Sequence, residues 1–260
     1  MSVIIKSERE IELMREAGRI LGEVHEALAK EVVPGVSTLS IDKKCYEMIK
    51  SYGCEPSFLN YQGYPASVCV SLNDEVVHGI PREDCIIIDG DIVSLDIGVI
   101  YKGYHSDAAR TVIVGDVDEE VRLLVERTRE SFFRGIANAK AGHFLNEIGN
   151  AIDDYISEFG YGIVRDLVGH GVGAHLHEEP EIANYRKLRR GVKLQSGMTL
   201  AVEPMISLGD WEVEWLDDEW TVVTADGSPA AHYENTILVT DGEPEILSLT
   251  PSERKMEGLS

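Results

Sequence analysis

The sequence from residue 167 to residue 180, LVGHGVGAHLHEEP, governs how the rest of the chain is interpreted. It holds three histidines, His170, His175 and His177, among four glycine or alanine residues that let the backbone approach another group closely. This composition is unusual for a packed hydrophobic core. Because neutral imidazole is the commonest metal ligand in proteins, the stretch indicates a metal site.

Four acidic residues elsewhere lie in or beside apolar runs, where an unpaired charge is costly: Asp96, Asp107, Glu203 and Glu234. Asp96 and Asp107 stand eleven residues apart on the strands of a predicted hairpin and can face each other across it. With His170, the four carboxylates form the ligand set of a two-metal hydrolase, and two divalent cations would balance their charge. The alternative is a set of unrelated surface acids, but all four lie in a strand context.

Composition limits the partners and the compartment. The chain has 260 residues, of which 43% are hydrophobic, and its net charge of −22 argues against general nucleic-acid binding. No apolar run approaches the length of a membrane helix, and the first residues lack the apolar core of a signal peptide. We therefore expect a cytoplasmic protein. The cysteines form no CxxC pair and are expected to be small buried hydrophobic residues: Cys45, Cys54, Cys69 and Cys85.

Hydrophobic periodicity and breaker residues predict the order of the elements. Helices are predicted at 7–33, 40–51, 118–140 and 146–159, the first with a capping box formed by Ser7 and Glu10. Strands are predicted at 68–72, 92–100, 104–114 and 198–205, with a closing hairpin at 220–224 and 230–239. The acidic and aromatic segment 208–220 is expected to be a loop at the rim of the site.

The chain also repeats itself at an offset of 107 residues. The offset superposes Gly35 on Gly142, Gly53 on Gly160, Gly90 on Gly197 and Asp96 on Glu203. One offset shared by helices, turns and a metal-site strand indicates two related halves, about 1–115 and 116–250, each bringing carboxylates to a common seam. No linker composition separates them, so we expect a single catalytic domain over residues 1–260.

Five motifs together resemble the type I methionine aminopeptidases over nearly the whole chain. They are NYQGYPASVCVSLNDEVVHGIP (60–81), SLDIGVIYKGYHSDAART (94–111), GHGVGAHLHEEP (169–180), TLAVEPM (199–205) and HYENTI (232–237). Each motif alone is weak, but the set is highly specific. The resemblance implies an α+β pita-bread fold, in which pseudo-twofold related halves share a central curved, mainly antiparallel sheet covered by helices.

The resemblance also implies a site and a reaction. Two divalent ions, of cobalt, manganese, iron, zinc or nickel, would be held by Asp96, Asp107, His170, Glu203 and Glu234, with Asp107 and Glu234 bridging. His78 and His177 would contact the substrate, and Glu203 would handle the transferred proton. The methionine side chain would lie among Tyr61, Tyr64, Cys69, Leu176 and Trp220. The implied reaction is removal of the initiator methionine from nascent proteins and peptides whose second residue is small.

Three positions depart from the family pattern: Leu176 stands where Phe is common, Gln62 where His is common, and Phe58 where a small residue or Cys is common. Leu176 predicts a roomier methionine pocket. Two other interpretations stay open from the sequence. One is a proline-directed aminopeptidase or prolidase of the same fold, which generally carries a large extra N-terminal domain. The other is a pita-bread binding module that has lost its metals.

The expected partners follow from the implied reaction. They are the N-termini of peptides and nascent chains, with a contact to the ribosome near the exit tunnel. No nucleic-acid specificity and no membrane association are expected. The chain is expected to be a monomer.

Overall fold

The computed structural model describes residues 3–256 and 258. Its α-helices are α1 Glu8–Ala29, α2 Thr38–Ser51, α3 Glu119–Ile136, α4 Asn146–Ile156 and α5 Pro251–Met256, with short 3-10 turns at Tyr61–Gly63 and Ser157–Phe159. The predicted capping box is present, since the backbone N of Ser7 donates to Glu10 Oε2 at 2.7 Å. The first helix ends at Ala29, four residues before its predicted end. In the described part of the chain, no helix is both long and apolar enough to cross a membrane.

The strands form four antiparallel sheets among the described residues. They are β1 Glu55–Pro56, β2 Val68–Leu72, β3 Glu75–Val77, β4 Ile92–Tyr101, β5 Tyr104–Ile113, β6 Gly162–Ile163, β7 Gly169–Gly171, β8 Glu178–Ile182, β9 Thr199–Val202, β10 Met205–Ser207, β11 Val213–Trp215, β12 Val222–Thr224, β13 Ala230–His232, β14 Asn235–Leu238 and β15 Glu245–Ile246. One sheet carries β1, β4 and β2 with β5 paired to β4, and the largest has the order β15-β14-β9-β7-β8.

The hairpin of β4 and β5 forms as predicted, and its register fixes how the two aspartates meet. Asp96 lies opposite Ala109, and Asp107 lies opposite Gly98. The carboxylates are therefore diagonal neighbours on one face of the sheet, where they can approach each other.

Two predicted strands are broken by the fold. The predicted strand 198–205 divides at Glu203 and Pro204 into β9 and β10, which lie in different sheets. The predicted strand 230–239 divides in the same way at Tyr233 and Glu234, between β13 and β14. Proline cannot donate to a strand ladder, so Pro204 favours the first break. Each break releases one acidic side chain from the regular pleat.

The predicted closing hairpin is wrong. Strand β12 pairs with β11 and β3, whereas β13 pairs with β10. The segment 208–220 is also not entirely a loop, because Val213–Trp215 forms β11. Acidic and apolar residues alternate in this segment, which is the pattern of a strand that exposes one face to solvent.

Two apolar clusters cover the two sides of the structure. One joins α1 and α2 to the β4 sheet through residues such as Leu21, Ile41 and Leu95. The other joins α3 and α4 to β9 and β14 through residues such as Phe132, Ile148, Leu200 and Ile237. The glycines paired by the 107-residue offset have similar left-handed φ angles: 91° and 94° for Gly35 and Gly142, 69° and 74° for Gly53 and Gly160, and 93° and 90° for Gly90 and Gly197. The paired glycines therefore have similar turn conformations, and the division into two related halves stays a prediction.

Candidate active site

A cavity of about 230 Å³ opens beside the β4–β5 hairpin, which contributes Asp96 and Asp107 to its lining. It is lined by every residue that the sequence singled out for the site: Tyr61, Tyr64, Cys69, His78, Asp96, Asp107, His170, Leu176, His177, Glu203, Trp220 and Glu234. His175, the remaining histidine of the stretch 167–180, is exposed and does not line the cavity.

Different backbone features deliver the four acids. Asp96 and Asp107 come from the middle of a regular hairpin. Glu203 and Glu234 come from the strand breaks, and the backbone N of Glu234 donates to Ala109 O at 3.0 Å. That bond places Glu234 beside the strand that carries Asp107. The cluster thus forms at a seam between distant parts of the chain.

The geometry of the cluster fits metal ligands. One ligand atom each from Asp107, His170 and Glu234 lies within 4.8 Å of the others. His170 Nε2 is 3.8 Å from Asp107 Oδ2 and 3.6 Å from Glu203 Oε1. His170 Nδ1 lies 2.9 Å from Gly171 O, and an N–H donated there leaves the lone pair of Nε2 directed at the carboxylates.

The electrostatics of the cluster call for a cation. In the described chain, Asp96 Oδ1, Asp107 Oδ1 and Glu234 Oε1 are buried without a hydrogen-bond partner. Burial raises the pKa of Asp96 to about 7. Burial and the neighbouring carboxylates raise the pKa values of Asp107, Glu203 and Glu234 well above their ordinary values. Buried acids of this kind are stable as anions only when paired or when they coordinate metals.

Two histidines stand over the cluster. His177 Nδ1 lies 2.7 Å from the Tyr61 hydroxyl, and its ring centroid is 4.3 Å from that of His170. His78 has a left-handed φ of 60° and faces the edge of Trp220 at 6.3 Å. Burial, and then the proximity of His177, lower the pKa of His78 to about 4, so its imidazole is neutral at pH 7.

An apolar pocket adjoins the acidic cluster. Phe58, Tyr64, Ala66, Cys69 and Leu176 are buried together, with Tyr61, Ile80 and Trp220 packed against them. The Tyr64 hydroxyl donates to Gly79 O at 2.9 Å, and the Tyr64 ring meets Trp220 edge-on at 5.1 Å. Burial and the charge of Asp96 raise the pKa of Cys69, which therefore lines the pocket as a neutral thiol.

The sequence did not identify several of the residues around the site. The cavity is also lined by Val77, Leu167, Val168 and Met205, which neighbour His78, His170 and Glu203 along the chain. Lys6 Nζ binds Glu178 Oε2 at 2.5 Å in a buried ion pair, and Glu178 Oε1 accepts from the backbone N of His175 at 3.1 Å. This contact ties the N-terminal segment to the loop that presents His177.

A second buried ion pair supports Glu234 from behind. The Arg110 guanidinium donates to Glu253 Oε1 at 3.0 Å and to the backbone O of Glu234. Hydrogen bonds from Arg110 and its positive charge hold the pKa of Glu253 at about 2. Helix α5 is in this way connected to the acidic cluster, although it contributes no side chain to the cavity.

Comparisons with known proteins place the chain in a family. The family model for metallopeptidase family M24 matches residues 12–241. A methionine aminopeptidase of Clostridium acetobutylicum is 49% identical over 95% of this chain and 99% of its own. The crystal structure of a methionine aminopeptidase from Thermotoga maritima superposes with a TM-score of 0.93, at 43% identity over 95% of this chain and 100% of its own.

The same fold occurs in a second class of peptidase. The prolidase from Pyrococcus furiosus superposes with a TM-score of 0.77, at 27% identity over 95% of this chain but only 66% of the prolidase. This agrees with the pita-bread fold expected from the sequence. Both the higher identity and the matching length favour the other class, so the chain belongs to metallopeptidase family M24 and, within it, to the methionine aminopeptidases.

Proposed function

We propose that this protein removes the N-terminal initiator methionine from nascent proteins and peptides whose second residue is small. The observation that carries the proposal is one cavity in which metal-binding side chains adjoin an apolar pocket. The acidic cluster suits hydrolysis of the first peptide bond, and the pocket suits an unbranched, polarisable side chain such as methionine.

The proposed ligands divide between two divalent ions. Asp107 and Glu234 would bridge the ions, Asp96 would bind one of them, and His170 and Glu203 would bind the other. Bound ions would supply a water-derived nucleophile at neutral pH and polarise the scissile carbonyl. Carboxylate oxygens with one imidazole accept several metals, and we leave cobalt, manganese, iron, zinc and nickel as candidates.

The surrounding side chains would move the proton and hold the substrate. Glu203 would take a proton at the cluster and deliver it to the leaving amine. If Tyr61 donates its hydroxyl proton to His177 Nδ1, the N–H of His177 lies at Nε2 and is free to stabilise a developing oxyanion. His78, held neutral by burial, would contact the scissile amide.

The remaining parts of the proposal concern partners and place. We propose that the protein acts as a monomer in the cytoplasm on chains that emerge near the ribosomal exit tunnel. The net charge of −22 makes direct recognition of nucleic acid an unsuitable means of docking there.

A peptide panel with varied metal tests the proposed function. We expect cleavage of Met-Ala-Ser by protein loaded with a divalent metal, loss of cleavage after chelation, and recovery when metal is restored. Xaa-Pro peptides should be poor substrates. Preferential cleavage of Xaa-Pro would instead assign a proline-directed enzyme, and a protein that neither binds metal nor cleaves any peptide would be a binding module.

Leu176 and Phe58 are expected to act as a pair in the methionine pocket. The first is smaller and the second larger than the family pattern, and both belong to one buried cluster, so Phe58 offsets the room expected beside Leu176. Leu176→Phe alone should crowd Phe58 and lower kcat/KM by the equivalent of about 1–3 kcal/mol, the range for one hydrophobic contact in a substrate pocket. Leu176→Phe combined with Phe58→Cys should recover most of that loss.

The measurement for this pair is kcat/KM for Met-Ala-Ser in the parent, both single variants and the double variant. We expect the effects of the two substitutions to be non-additive, which means a non-zero free energy of interaction between the two positions. Strictly additive effects would show that the two side chains do not share the same space in the pocket.

A further inference from the structure

His232 is a buried side chain for which the proposed reaction has no use. It ends strand β13, is 2% exposed, and does not line the active-site cavity. Within the described chain, neither of its ring nitrogens has a hydrogen-bond partner. Burial removes the hydrogen bonds of the imidazole to water, and no protein group in the described part of the chain replaces them. This costs free energy, so the position of His232 needs an explanation.

The imidazole of His232 lies close to two of the acidic residues. Its Nε2 lies 3.9 Å from Glu203 Oε2 and 4.0 Å from Glu234 Oε2. His170 Nε2 stands on the other oxygen of the same carboxylate, 3.6 Å from Glu203 Oε1. The carboxylate of Glu203 is thus bounded by two imidazoles, one facing each oxygen.

Two hydrogen bonds and a strand pairing hold the backbone of His232. Its N donates to Thr111 Oγ1 at 2.9 Å, and Thr111 Oγ1 donates to its O at 3.0 Å. His232 also pairs with Met205 of β10, and Met205 lies two residues after Glu203 in the sequence. These contacts fix the backbone from which the imidazole projects, and a small rotation of the Glu203 side chain would bring Oε2 from 3.9 Å to within hydrogen-bonding distance of Nε2.

We propose that His232 is a positioning residue for Glu203: its Nε2–H holds Oε2 and thereby turns Oε1 toward the ion shared with His170. Hydrogen bonds behind a ligand of this kind fix its orientation and raise metal affinity. A carboxylate oxygen has two lone pairs, so the bond leaves Oε2 able to take part in proton transfer. The inference rests on the metal-ligand role proposed above for Glu203.

The test is metal binding by the full chain, stripped of metal and titrated with Co²⁺ in a calorimeter and by visible absorption. His232→Met removes the donor but keeps an adaptable side chain of similar bulk, and we expect Co²⁺ affinity to fall about 10- to 100-fold with altered absorption bands. His232→Gln, whose amide can donate to the same oxygen, should stay within about threefold of the parent. A second apolar variant, His232→Leu, serves if the Met variant does not fold.

His143→Met is the control, because His143 lies outside the cavity, in the segment before α4, where its Nδ1 is 2.8 Å from Glu147 Oε2. It should bind Co²⁺ like the parent. The proposal is overturned if the apolar His232 variants bind Co²⁺ within threefold of the parent with the same spectrum. It is also overturned if His232→Gln loses as much affinity as they do. A parent that binds no metal would instead refute the proposed function.

Discussion

Glu203→Gln is expected to lower kcat for a Met-Ala peptide by roughly 10²–10⁴-fold, the range found when an acid–base group is lost. Gln has the same size as Glu and retains one oxygen that can bind metal. It lacks the second basic oxygen that a proton-transfer role requires. Metal and substrate binding should therefore change less than kcat.

The structure supplies the reasons for this expectation. Glu203 leaves the pleat at the break before Pro204, where its backbone O accepts from Asn184 Nδ2 at 3.0 Å, so its side chain is directed from an anchored point. Its carboxylate is largely buried, and burial together with the charges of Asp107 and Asp96 raises its pKa well above the ordinary value.

Single-turnover cleavage under saturating metal is the measurement, because it separates the chemical step from product release. Glu219→Gln makes the same chemical change at an exposed position that does not line the cavity, and it should behave like the parent. A Glu203→Gln rate within about threefold of the parent would leave Glu203 as a ligand only. Another group, with His177 the first candidate, would then have to carry the proton.

The sequence predicts the regular parts of this fold well and the irregular ones poorly. The β4–β5 hairpin follows from alternating residues on either side of a Lys-Gly turn, and both of its aspartates were found with it. A continuous apolar run gives no sign of where a strand leaves one sheet and joins another, since both pieces are buried. Pro204 was the available signal for one break, whereas the break at Tyr233 and Glu234 depends on pairing with Ala109, which is more than a hundred residues away.

The site divides in a similar way. Residues that reach into the cavity belong to short motifs and were identified from them. Supporting residues depend on contacts between distant segments: the Lys6–Glu178 pair spans 172 residues and the Arg110–Glu253 pair spans 143. No local pattern encodes such a partner. A buried ion pair of this kind can be identified only in the folded structure, where packing excludes water from both charged groups.

The largest change in metal content is expected for Asp107→Asn. Asp107 is the residue best placed to touch both ions, because it lies beside Asp96 on the hairpin face and within the cluster formed with His170 and Glu234. Its loss should reduce bound metal and activity together, and by more than the 10- to 100-fold typical of a residue that only orients a ligand. Asp96→Asn, the matched control on the adjacent strand, should mainly weaken one ion.

Stability without metal distinguishes this effect from simple misfolding. Burial and the charge of Asp96 raise the pKa of Asp107 well above its ordinary value of 3.8. Above about pH 4 the metal-free native state therefore holds a proton that the unfolded chain has released, and the free energy of unfolding falls as pH rises. Asn does not titrate, so the metal-free variant should unfold at a higher temperature than the metal-free parent at pH 8, with the difference shrinking toward pH 4.

Calorimetric titration of metal into both aspartate variants, and thermal unfolding of the metal-free proteins across this pH range, are the two measurements. In a protein of this size each kcal/mol corresponds to about 2–4 °C in unfolding temperature, so a modest relief of charge is detectable. If Asp107→Asn bound two ions as tightly as the parent, the ligand assignment would be wrong. A metal-free variant less stable than the parent at pH 8 would mean that Asp107 stabilises the metal-free fold through its other contacts, and that these outweigh the relief expected from its shifted pKa.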